Sequence, residues 1–161
     1  MGRKGYPVTA AIRVLRRAKV HFSVHQYSYI DHGGALQAAE SLELPALQVI
    51  KTLVMRRKSG APLLMLMHGG QAVSTRELAR QIGARKVQPC EPSAAEKLSG
   101  YQVGGISPFG TRTPMPVYAQ ASIFKLPRIC INGGRRGLLV ELDPVELVRI
   151  VAATAVNAVQ H

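Results

Sequence analysis

Val49-Ile50-Lys51-Thr52-Leu53-Val54-Met55-Arg56-Arg57 is apolar and partly β-branched, and it alternates. In an extended chain Ile50, Thr52 and Val54 point one way and Val49, Lys51, Leu53 and Met55 the other. A core strand over 49–57 is expected. Lys51 is the odd member of its row. A buried ammonium must be paired, reach water along its stem, or face a cavity. Arg56-Arg57-Lys58-Ser59-Gly60 reads as a basic hairpin tip, either a solvated turn or a phosphate contact. Pro62 to His68, nearly all Leu and Met, reads as the buried return strand.

Upstream, Val8, Ala11, Ile12, Leu15 and Ala18 recur at threes and fours, which predicts an amphipathic helix over 9–18. His21 to Tyr27 alternates as a strand, with His21, Ser23, His25 and Tyr27 on one side. A loop over 28–34 holds Asp31, His32, Gly33 and Gly34; one acid and one histidine are too few for a metal site. A short helix over 35–42 follows. Downstream, Ser74 and Glu77 form a helix-start signal ended by Gly83. A short basic strand over 85–88 and a helix opened by Pro92 come next. After a strand over 117–119, a hairpin is expected from 128–131 and 137–142, turning through Asn132-Gly133-Gly134-Arg135-Arg136. Asp143 and Pro144 open a last helix. Strands and helices mix without regular βαβ alternation, which makes the class α+β.

The 161 residues suit a single domain with a real core, read as 9–161 behind a basic N-terminal extension over 1–8. No apolar run is long enough for a membrane span and no secretory leader is read, so a cytoplasmic protein with no membrane partner is expected. Cys90 and Cys130 lie far apart outside any CxxC, consistent with a reducing compartment and with no metal or other cofactor. Lys and Arg number 21 against 9 acids, a net charge of +12. A domain this basic either meets a polyanion or carries its charge for solubility. Aromatic residues are 5% of the chain, and there is no RNP-type motif, Cys₂His₂ spacing or basic zipper. Contacts to an RNA backbone or RNA end therefore fit better than stacking along many bases.

Tyr101-Gln102-Val103-Gly104-Gly105-Ile106-Ser107-Pro108-Phe109-Gly110 sets two glycines close to a proline. Such a corner is either a tight turn or a place where a ligand oxygen meets bare main-chain N–H groups. No Ser/His/Asp or Cys/His nucleophilic set emerges from spacing.

The 49–55 stretch, the 101–110 loop and Ile131 to Leu142, in this order and spacing, resemble the YbaK/EbsC family of free-standing aminoacyl-tRNA deacylases. That family is similar to the editing domain of bacterial prolyl-tRNA synthetase. The resemblance covers nearly the whole chain and implies a curled, barrel-like mixed sheet surrounded by helices. It implies a trans-editing hydrolase for mischarged aminoacyl-tRNA, Cys-tRNA(Pro) or one bearing another small amino acid; with no nucleophilic set evident from spacing, catalysis without a covalent intermediate is expected. Lys51 and the main chain of Gly104, Gly105, Ile106 and Ser107 would be catalytic. Tyr27, Thr52, Pro108, Asn132, Gly133 and Gly134 would bind substrate, and Arg56, Arg57, Lys58, Arg135 and Arg136 would meet RNA. The implied partners are tRNA and a synthetase such as prolyl-tRNA synthetase, and a monomer is the simplest state. The chain departs from the family pattern at Gly34, where an aromatic residue is common, and at Asn132 and Leu139, where a serine and an aspartate are usual. A non-catalytic tRNA- or synthetase-binding module and a small-molecule ester or thioester hydrolase are the alternatives.

Overall fold

The expected core strand is present as β2 (Val49–Arg57), paired antiparallel along its length with β3 (Pro62–His68) in a computed structural model that describes residues 5–161. β3 is apolar throughout because both of its faces are covered. Leu64 and Leu66 enter one cluster with Ile50 and Val54, while Leu63, Met65 and Met67 enter another with Met55.

The remaining elements are α1 (Ala10–Arg17), β1 (Ser23–Gln26), α2 (Gly34–Leu42), α3 (Thr75–Ile82), β4 (Val87–Pro89) and α4 (Pro92–Ser99). They continue with β5 (Val117–Gln120), β6 (Ile129–Arg135), β7 (Leu138–Leu142), α5 (Val145–Val151) and β8 (Thr154–Val156). The sheet runs β1-β7-β6-β2-β3-β5-β8, with β4 as an additional partner of β2. β2–β6, β3–β5 and β5–β8 are parallel and the other pairs antiparallel. The α+β mixed sheet is as expected. Its two end strands are not paired to each other, so it is curled rather than closed into a barrel.

Local chemistry accounts for the helix ends. Thr9 caps α1 by accepting the Ile12 N–H, and Ser74 caps α3 by accepting that of Glu77. Glu77 does not complete a capping box; its carboxylate binds Arg80, and the Ser74 N–H goes to the Ala158 carbonyl. The Asp143 carboxylate accepts the Val145 N–H at the start of α5.

Three features depart from the sequence reading. The β6–β7 turn lies at Arg136-Gly137, where Gly137 has φ +82°, and not at Asn132-Gly133-Gly134. Those residues belong to β6, and the register against β7 shifts between Asn132 and Arg135, a bulge that uses the positive φ of Gly134. β8 was not foreseen, because Thr154-Ala155-Val156 is too short to show alternation. The expected N-terminal extension lies outside the described residues at 1–4, whereas Tyr6 is buried in the main core and its hydroxyl accepts from Arg16 at 3.0 Å.

One feature positions the site. β2 uses a single edge for two partners: β6 meets it at Val49 and Ile50, and β4 meets it from Met55 to Arg57. Between them the edge has no strand partner among the described residues. The alternation set by β3 turns the main-chain groups of Ile50, Thr52 and Val54 toward this edge. The Val54 carbonyl accepts from Cys90 N–H at 3.0 Å. The N–H and C=O of Thr52 face the gap.

Candidate active site

The gap in the sheet opens into a cavity of about 380 Å³. Residues of both sheet faces line it, because it passes through the break between β6 and β4: Lys51, Leu53 and Leu139 on one side, Thr52, Ile106 and Ala95 on the other. α2 covers the first side with Gly34, Ala35 and Ala38. Gly34 contributes no side chain, so space that an aromatic ring would fill stays open.

Lys51 lies on the cavity wall and forms no ion pair among the described residues. Burial pulls its ammonium below the ordinary lysine value, since nothing nearby compensates the charge. Of the three fates open to a lysine in an apolar row, the cavity is the one realised. Beside it, the Thr52 hydroxyl is buried without a hydrogen-bond partner among the described residues. Its donor and acceptor capacity is unused behind the wall that the Thr52 residue forms.

The glycine corner reaches the same cavity through Val103, Gly104 and Ile106. Gly104 has φ +93°, and its carbonyl accepts from Asn132 Nδ2 at 3.0 Å. The Asn132 oxygen takes the N–H groups of Gly134 and Arg135, so one side chain ties the β6 bulge to the corner. Gly105 packs on the β6–β7 turn, where a Cβ would stand 2.8 Å from the Arg136 nitrogen, and its N–H closes a turn onto the Gln102 carbonyl. Ser107 is fully buried, its hydroxyl accepting the Phe109 N–H, and Pro108 is buried with it. Gly105, Ser107 and Pro108 thus stand behind the cavity wall and shape the corner. The N–H groups of Gly104 and Ile106 have no acceptor among the described residues, and these two residues line the cavity.

Tyr27 lines the cavity, and burial followed by the neighbouring Tyr29 raises its phenol above the ordinary value. Tyr29 was missed from sequence. It lies against Gly104, where any Cβ would collide with its hydroxyl, and carries the Arg136 guanidinium 5.0 Å over its ring. Arg136 also donates to the Val103 carbonyl at 2.8 Å. Arg136 is thereby placed at the mouth. Arg56, Lys58 and Arg135 are exposed, but Arg57 is turned inward, donating to the Tyr118 hydroxyl at 3.0 Å with its Nε buried. Of the remaining residues expected to bind substrate, Asn132 lines the cavity, while Gly133 and Gly134 form the bulge behind it.

His25, Cys130 and Glu141 place their potential ligand atoms within 4.8 Å of one another. Spacing along the chain carries no sign of this cluster, since the three lie on three strands. Glu141 accepts from His25 at 2.8 Å and from Arg128 at 3.4 Å. Burial raises its pKa, but those two hydrogen bonds outweigh it and hold the carboxyl below the ordinary value. The group is already charge-compensated. Burial and the adjacent Glu141 push the Cys130 thiol up to about 12.

The family model of the aminoacyl-tRNA editing domain matches residues 34–150, which include β2, the glycine corner and the β6–β7 hairpin. The chain belongs to the aminoacyl-tRNA editing domain family. Editing of an aminoacyl-tRNA is hydrolysis of its ester, so the expected aminoacyl-tRNA deacylase stands. EbsC of Enterococcus faecalis, named as a candidate Cys-tRNA(Pro)/Cys-tRNA(Cys) deacylase, is 29% identical over 143 residues, 88% of this chain and 87% of that protein. A proline–tRNA ligase of Limosilactobacillus fermentum is 29% identical over 87 residues, 52% of this chain and 15% of the ligase. A crystal structure of a candidate trans-editing enzyme for prolyl-tRNA synthetase shares the fold, with TM-score 0.83 at 24% identity over 97% of this chain and all of that one. The hypothetical protein APE2540 shares it with TM-score 0.86 at 18% identity, over 94% of this chain and all of that one. Among the described residues no helix is long and apolar enough to cross a membrane.

Proposed function

We propose that this editing domain deacylates mischarged tRNA in trans, holding the acylated 3′ end in the cavity at the sheet gap. The observation that carries the reading is that Lys51, Thr52, Gly104 and Ile106 line one cavity. Lys51 anchors the terminal nucleotide. The N–H groups of Gly104 and Ile106 donate to the ester carbonyl oxygen as negative charge grows on it. A water oxygen adds to the carbonyl carbon, the ester bond to ribose breaks, and the ribose oxygen leaves with a proton. A substrate thiol can take the place of water in the first step, its sulfur displacing the ribose oxygen, which leaves with the thiol proton, to release a cyclic thioester that water then opens; attack by the ribose 2′-hydroxyl only moves the acyl group to the neighbouring ribose oxygen, and water must still cleave that ester. An aminoacyl ester is already activated, so positioning and oxyanion stabilisation suffice without a protein nucleophile. The likeness to the candidate Cys-tRNA(Pro)/Cys-tRNA(Cys) deacylase supports cysteine or another small amino acid on tRNA(Pro) as first substrates to try. The ligase likeness supports a synthetase as the partner that releases the substrate.

A panel of mischarged tRNAs tests the reading. Turnover of at least one, lost on Lys51→Ala with the fold retained, is expected. A purified protein that binds tRNA but hydrolyses no ester on the panel would instead be a binding module.

A further inference from the structure

Resting on that reading, we infer that the site selects aminoacyl esters whose α-nitrogen carries no charge. Among the described residues no carboxylate lines the cavity. Lys51 is the one charged residue on its wall among them, and its charge has the same sign as an α-ammonium. An ammonium brought into a largely apolar cavity loses water and meets repulsion, with no anion to offset either. An amine, hydroxyl or amide in the same place meets no repulsion and loses far less hydration. It can offset that loss by donating to the Thr52 carbonyl on the open edge.

The acids of the surrounding elements do not alter this. On β7, Glu141 is held by His25 and Arg128. On α4, Glu96 is exposed and accepts the Val103 N–H at 2.8 Å, and the exposed Glu91 precedes the helix; on α2, Glu40 is exposed; none of the three lines the cavity. The other ionisable side chains on the wall are the phenols of Tyr27 and Tyr29 and the thiol of Cys90, none of them a carboxylate, and Arg136 over Tyr29 adds positive charge at the mouth. Residues 1–4 contain no acid.

The test uses one tRNA carrying either the amino acid turned over fastest on the panel or its α-hydroxy counterpart, which replaces the amine by an uncharged group of similar size. kcat/KM is measured for each ester and divided by its spontaneous hydrolysis rate at the same pH, which removes the activation an ammonium lends its own ester. The hydroxy ester should be favoured by roughly tenfold or more near about pH 6, and the gap should close toward about pH 9 as the α-amine loses its proton. A normalised preference for the amino ester at low pH, or a ratio that stays constant with pH, overturns the inference while leaving the deacylase reading intact. Turnover of neither ester overturns the deacylase reading and this inference with it.

Discussion

Lys51 carries a conflict between stability and function. Its folded pKa is depressed by burial, so below its unfolded value the folded state holds the proton less tightly than the unfolded chain does. The sign follows: stability rises as pH climbs from the folded toward the unfolded lysine pKa, and at neutral pH the charge opposes folding. Lys51→Met should therefore melt about 2–4 °C higher than the parent at pH 7, about 1 kcal/mol for a domain of this size. The same variant should lose on the order of 10²–10³ in deacylation. A thermal melt and a single-turnover assay check both halves. Cys130 behaves oppositely with pH. Its thiol pKa rises from 9.0 to about 12 on folding. Its contribution is present below the unfolded value and is lost as pH climbs from about 9 to about 12. Cys130→Ala should flatten the alkaline limb of the stability profile, and alkylation of the native protein at pH 8 should label Cys90 before Cys130, as peptide mass spectrometry would show.

At the level of elements, the bulge in β6 supports the site. Asn132 gives its oxygen to two bulge N–H groups and its amide N–H to the Gly104 carbonyl, so it holds strand and corner together. Asn132→Asp keeps the acceptors but sets a carboxylate against the Gly104 carbonyl. The corner should loosen, with a fall in kcat of about tenfold or more and a stability loss of about 1–3 kcal/mol. Asn132→Ala should destabilise by a similar amount; denaturant titration alongside kinetics compares the two. The sequence showed the glycines of this hairpin but assigned them to a turn. Gly137 alone supplies that turn, and only the strand register distinguishes a bulge from a turn.

Across the whole molecule the net charge of +12 bears on RNA binding through its distribution. Arg56, Lys58 and Arg135 are exposed, whereas Arg57 is bound inward to Tyr118. Neutralising the three exposed residues should lower the salt dependence of tRNA affinity by about 0.7 per lost contact to a single strand in log–log slope. Arg57→Gln should leave that slope unchanged and destabilise the fold, since it removes the Tyr118 contact. Filter binding at several salt concentrations, paired with thermal melts, separates the two classes.

Periodicity in the chain determined β2, β3, the amphipathic α1 and the α+β class, because alternation and helical spacing are local properties that survive tertiary packing. It also set Lys51 among apolar neighbours, and composition fixed the excess of basic charge. The sharing of one β2 edge by β6 and β4 was decided only in the tertiary structure, and with it the gap, the orphaned Thr52 hydroxyl and the cavity. So were the inward turn of Arg57, the place of Tyr29 against Gly104, and the joining of His25, Cys130 and Glu141. Each depends on which distant strands become neighbours, and pairing between strands far apart in sequence leaves no mark in the local order of residues.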